Sequence, residues 1–230
     1  MIDSETVKVL QDIVQKIVLP VAGAPVVADI VKRLVGPSAD YFGERVKRCF
    51  ERSNEMIENA EATPQNAAPN IIIPLIQAVA LAENETIQEM FAALLTNARI
   101  PEGNVARPSF ISIVSQLAPD EAVLFKAIGT LTNEYRIFEM GFNHIPQPQR
   151  AGQAVAFVRT YMTNAMTALP WLQNESDGNR SLRFQTCIWV LEGLKLITKH
   201  QVDMKNSIPL VSELGEALLR ACRPPEPKAA

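Results

Sequence analysis

The 230-residue sequence has few of the residues that build catalytic and metal-binding sites. It contains three cysteines, and Cys49, Cys187 and Cys222 are too widely separated for a metal-binding pattern. Phosphate-binding loops, nucleophile elbows and zinc-protease motifs are absent from it. The two histidines, His144 and His200, stand alone, and a lone histidine is more often a surface or structural residue than a catalytic base. We therefore expect no enzymatic activity, no cofactor and no metal.

The sequence also lacks an excess of either charge and is poor in aromatic residues. Its formal net charge of −3 argues against wholesale wrapping of nucleic acid, although it leaves room for local basic patches. A hydrophobic content of 47% with only 6% aromatic residues is typical of a helical protein with an aliphatic core. Few, scattered cysteines are typical of a reducing compartment, and charges from Asp3 to Lys16 interrupt what would be the apolar core of a signal peptide. These features predict a cytoplasmic protein.

The clearest helical pattern lies in residues 83–125. Thr86 and Glu89 form a capping-box pair, which predicts that a helix begins there. The apolar residues that follow recur at helical spacing on one stripe, namely Ile87, Met90, Phe91, Leu94, Leu95 and Ala98. Pro108 and Pro119 each stand where a first-turn proline is tolerated, so two further helices are expected to begin at them.

This stretch resembles the signature segment of the abortive-infection alpha (Abi-alpha) family of bacterial proteins. That signature has a Met-Phe-x-x-Leu-Leu helix, then a Pro-Ser-Phe helix, then a helix start of the type Leu-Ser-Pro-x-Asp. The matching residues are Met90, Phe91, Leu94, Leu95, Pro108, Ser109, Phe110, Leu117, Pro119 and Asp120. Two positions depart from the pattern, because Arg107 stands where members often carry His and Ala118 where many carry Ser. The first departure removes any case for a catalytic imidazole there. The resemblance implies a role in phage defence and supplies no reaction.

The N-terminal region predicts two amphipathic segments within residues 4–35, broken around Pro20 and Pro25. The uncharged run between them, about a dozen residues, is too short to span a bilayer, which needs roughly 20. One interpretation is a kinked helical hairpin that packs on the helices of residues 70–98. The other is an interfacial element whose basic residues contact a membrane surface or a partner. The basic residues concerned are Lys32, Arg33, Arg45 and Arg48.

Apolar periodicity predicts three further helices, over residues 38–62, 70–82 and 149–169. The second is apolar almost all round, which predicts a fully buried helix. The third should point Val155, Val158, Met162 and Ala165 inward. An alternation of apolar residues after residue 131 predicts a short extended piece that contains Phe138, Met140 and Phe142.

The C-terminal part predicts a helix, a β-hairpin and a final helix, which is the order found in a winged helix. The helix over residues 181–193 should point Phe184, Cys187, Ile188 and Leu191 inward and end at Gly193. The two strands are expected over residues 194–200 and 208–212, and Ser212 should cap the last helix. Members of the Abi-alpha family end similarly, in a Leu-Gly-Leu-Ile element and a Leu-Thr-x-x-Gly helix.

A winged helix contacts DNA through this helix and its wing, where basic side chains meet phosphates. The candidate contact residues for a nucleic acid or a protein partner are Arg180, Arg183, Lys195, Lys199 and Lys205. The helix offers few polar side chains to base edges, because it is crowded with Phe184, Cys187, Ile188, Trp189 and Val190. Winged helices also dock proteins, so the fold alone does not decide the partner.

We interpret the fold as mainly α, a multi-helix body with a C-terminal winged-helix-like part that contains a short β-hairpin. The predicted parts are an N-terminal amphipathic helical segment (1–62), a central signature region (63–131), the winged-helix-like region (132–222) and a disordered tail (223–230). The favoured function is a non-enzymatic abortive infection protein that binds a phage or host protein, with self-association left open. The alternatives are a winged-helix, DNA-binding transcriptional regulator and a membrane-perturbing effector that acts through residues 4–35.

Overall fold

The computed structural model describes residues 39–100, 106–142, 147–169, 176–202 and 207–226. Over these residues the chain is mainly helical, with eight helices and one two-stranded antiparallel hairpin. The elements in chain order are α1 (Ala39–Asn59), α2 (Pro69–Leu81), α3 (Glu85–Arg99), α4 (Pro108–Val114), α5 (Pro119–Phe142), α6 (Gln147–Thr167), α7 (Asp177–Gly193), β1 (Ile197–Gln201), β2 (Ser207–Val211) and α8 (Glu213–Ala221). The predicted mainly helical fold, with a hairpin followed by a helix near the C-terminus, is confirmed.

The chain divides into two compact units. Among the described residues, unit 1 comprises those up to Gln116 together with those from Arg220, and unit 2 comprises residues 117–219. The amphipathic segments predicted within residues 4–35 lie outside the described residues, as do residues 227–230 of the predicted tail.

Unit 1 is built around α3, whose apolar stripe is buried as predicted except at Ala98, which is half-buried. Phe91 on α3 and Phe110 on α4 are both buried. The helices α1 and α2 pack on α3, and α4 packs on α2. The side chains that α1 and α2 bury include Val46, Cys49, Phe50, Ile72, Leu75 and Ile76. This aliphatic interior is what the low aromatic content predicts, and each large side chain removed from water contributes about 1.5–3 kcal/mol.

The start of α3 differs from the prediction of a capping box at Thr86. The N-cap is Asn84, whose Oδ1 accepts hydrogen bonds from the backbone N–H groups of Thr86 (2.9 Å) and Ile87 (3.3 Å). The Glu89 carboxylate accepts a hydrogen bond from Arg52 at 3.2 Å. Asn is a better N-cap than Thr, which explains why the helix begins earlier than the pattern predicts.

The helix α2 is buried on one face only, which corrects the prediction of a fully buried helix. Its inward residues include Ile72, Leu75 and Val79, whereas Gln77 is exposed and Leu81 is 70% exposed. Gln77 is polar, and its position marks the face of this apolar segment that points to solvent. Within the described ranges, no helix combines the length and the apolar character that crossing a bilayer requires.

The buried side-chain amide of Asn97 on α3 binds the backbone at the end of α8 and just after it. The Nδ2 of Asn97 donates hydrogen bonds to the carbonyl of Ala221 (2.8 Å) and to the carbonyl of Arg223 (2.9 Å). The last carbonyls of a helix have no partner within the helix, so this amide satisfies one of those that α8 leaves open. The contact fixes the residues after α8 to unit 1.

In unit 2, α5 continues as a helix to Phe142, so the predicted extended piece is wrong. Phe138 stacks on Phe157 of α6, with ring centroids 4.2 Å apart, whereas Met140 is exposed. Residues two apart point in very different directions on a helix, so the alternation of apolar residues marks no shared face. The spacing that matters is the one between Tyr135 and Phe138, which are three apart and lie on one side of α5.

The inward face of α6 also differs from the prediction. Ala165 is buried as expected, but Val155 is 44% exposed and the buried face runs through Ala154 and Tyr161. The hydroxyl of Tyr161 donates to the carbonyl of Pro209 in β2. A buried aromatic ring removes more apolar area from water than a valine does, which favours the rotation that turns Tyr161 inward.

The hairpin and α8 meet through a serine cap, as predicted. The Oγ of Ser212 accepts a hydrogen bond from the N–H of Gly215 (3.0 Å) and donates one to the carbonyl of Lys195 (2.6 Å). Gly215 lies so close to the preceding turn that a Cβ on it would stand 2.1 Å from the carbonyl oxygen of Leu196. The Ser-x-x-Gly sequence therefore combines a cap with a close backbone approach.

Candidate functional site

The outer face of α7 is uncharged and carries two large exposed apolar side chains. We call this face the outer stripe; its residues are Gly178, Leu182, Gln185, Thr186, Trp189 and Gly193. Leu182 is 61% exposed and Trp189 is 56% exposed. Seven residues are two turns of a helix, so the two side chains lie on the same side of α7. The opposite face buries Phe184, Cys187, Ile188 and Leu191, as predicted.

Two of the predicted basic contact residues are engaged in ion pairs within unit 2. The guanidinium of Arg183 lies 3.1 Å from a carboxylate oxygen of Asp120, in the first turn of α5. The Nζ of Lys199 on β1 lies 3.3 Å from a carboxylate oxygen of Glu192 on α7. Both basic groups are about half exposed, so each pair lies at the surface. An anion that binds either basic group must first displace its carboxylate partner.

Lys195 occupies the turn that ends α7. Gly193 is the last residue of the helix, as predicted, but the left-handed backbone conformation falls on Lys195, with φ of 59°. The N–H of Leu196 then donates to the carbonyl of Leu191 at 2.9 Å, which closes the helix in the manner of a Schellman motif. The Lys195 side chain is exposed. Lys205 and the side chain of Arg180 lie outside what the structure describes.

The basic residues predicted to contact a membrane or a partner differ in their exposure. Arg45 is buried, donates to the carbonyl of Ala80 at 3.2 Å and lies 3.6 Å from Glu83. Its guanidinium thus holds α1 to the end of α2. Arg48 is exposed, whereas Lys32 and Arg33 lie outside the described residues.

Arg48 lines a cavity of about 390 Å³ between α1 and α3 in unit 1. The other lining residues are Cys49, Glu51, Arg52, Glu55, Glu85, Gln88, Glu89 and Ala92. Arg52 bridges the carboxylates of Glu55 (2.8 Å) and Glu89 (3.2 Å), and its hydrogen bonds to them raise its pKa. The charges of this cavity therefore neutralise each other in part.

The Cys49 thiol beside this cavity has low reactivity. Cys49 is buried, and desolvation raises its pKa to about 12. Burial likewise raises the pKa of Cys187 in unit 2 to about 11, with a contribution from Asp120. A cysteine reacts as its thiolate, so both groups are poor nucleophiles at neutral pH. The described part of the chain also contains no group of three side chains suited to hold a metal ion.

A histidine contact in unit 2 was missed by the sequence interpretation. The Nε2 of His200 lies 2.9 Å from the hydroxyl of Tyr135, which also donates to Glu139 at 3.3 Å. Burial, and then the neighbouring Glu139, raise the pKa of Tyr135 to about 12. The surrounding ring cluster contains Tyr135, Phe138, Phe157 and Tyr161. In the sequence, these rings form two pairs at helical spacing: Tyr135 and Phe138 are three residues apart, and Phe157 and Tyr161 are four residues apart.

The comparison with known families is decisive for classification. The model of the family described as abortive infection alpha matches residues 40–222, from the start of α1 to the residue after α8. The chain belongs to the abortive infection alpha family. No curated protein and no solved structure matches it.

The Abi-alpha signature residues mainly build the core of unit 1. Met90, Phe91, Leu94, Leu95 and Phe110 are all buried, and they project no chemical group into a site. The family pattern in this stretch therefore mainly specifies packing.

The two departures from the Abi-alpha signature lie at helix starts. Arg107 is the exposed N-cap of α4, and its side chain makes no capping hydrogen bond. At the start of α5, Glu121 accepts a hydrogen bond from the backbone N–H of Ala118 at 2.7 Å. This is one half of a capping box, and the half that a Ser at position 118 would supply is missing.

Proposed function

We propose that this abortive infection protein works without catalysis, by binding a protein through the outer stripe of α7. The observation that carries the proposal is the exposure of Leu182 and Trp189 on one side of the helix. Tryptophan anchors are enriched at the energetic centres of protein interfaces, because a large, rigid ring buries much apolar area at a small entropic cost. Two such side chains on an uncharged face fit a protein surface better than they fit water.

The same face supports protein binding over DNA binding. Phosphate contacts supply much of the affinity of a DNA-binding protein, yet Arg183 and Lys199 beside the stripe already pair with carboxylates. Within the stripe, the hydroxyl of Thr186 donates to the carbonyl of Leu182 at 2.9 Å. Few side-chain donors are then left for base edges. A DNA-binding regulator would present the reverse arrangement, with unpaired basic groups around a polar helix face.

The proposed absence of catalysis is supported by the chemistry of the described residues. The thiols of Cys49 and Cys187 remain protonated at neutral pH, because burial raises their pKa to about 12 and about 11. His200 is held in a ring cluster by Tyr135. These groups serve packing, and a binding function requires nothing more of them.

A phage plating assay tests the proposal. Cells that produce the wild-type protein are challenged with a phage panel, and a phage against which it protects is retained. Trp189→Glu and Leu182→Glu each place a charge on the stripe, so we expect plating efficiency to rise to the level of unprotected cells. The matched control is Leu81→Glu, which places the same charge on an exposed leucine of α2 in unit 1 and should leave protection intact.

Protein level and thermal unfolding of each variant establish that it folds. Both substituted positions are more than half exposed, so we expect wild-type stability. Full protection by both folded stripe variants would contradict the proposal.

A further inference from the structure

We propose that the outer edge of β1 binds an extended, acidic segment of a partner protein as a third strand of the hairpin. The outer edge is the side of β1 that faces away from β2, with which β1 pairs. In such strand addition, the open backbone groups at the edge of a sheet pair with those of the peptide. The residues of this edge are not those of the outer stripe, so the inference does not rest on the proposed function.

The register of the hairpin determines which backbone groups of β1 face outward. Lys199 lies opposite Pro209 of β2, which has no N–H group with which to pair. In an antiparallel pair, residues that bond to the neighbouring strand alternate with residues whose N–H and C=O groups point away from it. The N–H of Ser212 donates to the carbonyl of Leu196 at 3.0 Å, so Leu196 points inward. By alternation, the backbone groups of Ile197 and Lys199 point outward.

The outer edge of β2 is closed to a further strand. The carbonyl of Pro209 accepts a hydrogen bond from the hydroxyl of Tyr161 on α6, and this proline offers no N–H group. The N–H of Val211 donates to Oγ1 of Thr132 on α5 at 3.1 Å. Both helices pack on β2. The hairpin can therefore gain a strand only at β1.

The outer edge of β1 has no such cover. Within the described residues, no backbone or side-chain group pairs with the outward N–H and C=O groups of Ile197 and Lys199. Thr198 and Lys199, in the middle of the strand, are exposed. Donors and acceptors that alternate along an open strand edge are a template for pairing with another extended chain. The backbone of this edge therefore specifies an extended peptide as its ligand.

The charges beside the edge favour an acidic peptide over a second copy of β1. Lys195 is exposed just before the strand and Lys199 is exposed within it, and Lys205 follows the strand in the sequence. Two copies of β1 that pair antiparallel over the whole strand place one Lys199 opposite the other, which is destabilising. A glutamate on an added strand, by contrast, lies opposite Lys199 as its counter-charge.

The pattern of backbone groups favours a peptide over a nucleic acid. Phosphate oxygens accept hydrogen bonds, so they could pair with the outward N–H group of Lys199 but would leave its C=O group without a partner. Each residue of an added strand supplies both a donor and an acceptor. A peptide therefore satisfies the whole edge, which a phosphate backbone does not.

Fluorescence anisotropy with the full chain tests the proposal. The probe is a labelled peptide of about six residues, the usual length of a strand, in which glutamate alternates with valine. The control peptide carries lysine in place of glutamate and should bind at least about tenfold more weakly. A glutamate opposite Lys199 directs its own N–H group toward β1. N-methylation of the glutamates should therefore weaken binding at least about tenfold, whereas N-methylation of the valines should leave it unchanged.

Two variants at position 199 separate the backbone contribution from that of the charge. Lys199→Pro removes an outward N–H group that makes no bond to β2, so the hairpin should remain while peptide binding falls at least about tenfold. Lys199→Gln keeps the N–H group and removes the charge, so it should lose only about threefold. Circular dichroism establishes that both variants fold.

Hydrogen exchange of the wild type, measured by NMR, gives a readout that needs no variant. The acidic peptide should slow exchange of the Lys199 amide at least about tenfold, because that N–H group becomes hydrogen-bonded. The Val211 amide, already bonded to Thr132, should exchange at an unchanged rate.

Four results would overturn the inference. One is an acidic peptide that does not bind at about 1 mM, and another is a basic peptide that binds equally well. The third is a bound peptide that leaves exchange of the Lys199 amide unchanged. The fourth is a competitor, either duplex DNA of mixed sequence that displaces the peptide or a second copy of the chain that occupies the edge. Analytical ultracentrifugation detects the second copy as a wild-type dimer that Lys199→Pro converts to a monomer.

Discussion

The hydroxyl of Tyr135 lies 2.9 Å from Nε2 of His200, and this contact joins the long helix α5 to the first strand of the hairpin. Their ring centroids are 5.1 Å apart, so the two side chains also pack against each other. Tyr135 is buried, and His200 is half-buried at the opposite end of β1 from α7. The hairpin beside α7 is therefore held in place from α5.

Removing this hydroxyl should weaken unit 2 without creating a large cavity. Tyr135→Phe keeps the ring and deprives His200 of its hydrogen-bond partner, so we expect a loss of about 1–2 kcal/mol in the free energy of unfolding. Urea denaturation followed by circular dichroism measures it. The control is Glu139→Gln, which changes the longer contact of the same hydroxyl, made to an exposed side chain, and should cost less than about 0.5 kcal/mol. An unchanged Tyr135→Phe protein would show that the contact carries no stability.

The close approach at Gly215 predicts a large effect from one methyl group. Gly215→Ala would place its Cβ 2.1 Å from the backbone carbonyl oxygen of Leu196, which cannot move aside as a side chain can. We expect a loss of about 3 kcal/mol or more in thermal or urea unfolding, or failure to fold. The matched control is Gly141→Ala at the exposed end of α5, where a Cβ meets nothing within 4 Å. That change should be neutral or stabilising by up to about 1 kcal/mol, and equal effects at both positions would contradict the account.

Burial of the Cys49 thiol predicts a specific pH dependence. The pKa is raised from 9.0 to about 12 in the folded protein, so above pH 9 the unfolded chain releases the proton while the folded chain keeps it. Stability contributed by this group is present below pH 9 and is lost as the pH rises toward 12.

The test compares wild type with Cys49→Ala at about pH 8 and about pH 11 by urea denaturation. The alanine variant lacks the titrating thiol, so the difference in unfolding free energy between the two proteins should narrow at the higher pH. The other titrating groups are common to both proteins and cancel in this comparison. A difference that is constant over the range would show that the thiol is not protected from ionisation.

The helices of unit 1 could be predicted from the sequence because their burial follows apolar periodicity. The helical spacing of the stripe through Phe91 predicts the buried face of α3, and the proline at position 108 predicts the start of α4. Both predictions need only neighbouring residues of the sequence. The error at Thr86 arose because Asn84 is also a good N-cap, and local chemistry gives only a small energetic margin between them. The membrane hypothesis for residues 4–35 stays a prediction, because these residues lie outside the described part of the chain.

The candidate site was less accessible to prediction because it depends on contacts between distant residues. Tyr135 and His200 are 65 residues apart, and no periodicity links them. In the sequence, helical spacing assigns Phe184, Cys187, Ile188 and Leu191 to the inner face of α7, but it does not show whether Trp189, on the other face, is covered or exposed. The structure confirms that inner face and shows that Trp189 is 56% exposed.

The most direct test of a protein-binding rather than a nucleic-acid-binding role is an electrophoretic mobility shift with mixed genomic fragments at low salt. We expect no shift, because Arg183 and Lys199 pair with Asp120 and Glu192 and the outer stripe of α7 is uncharged. A tight shift that falls steeply with salt, and that Lys195→Glu and Lys199→Glu both weaken, would contradict the account.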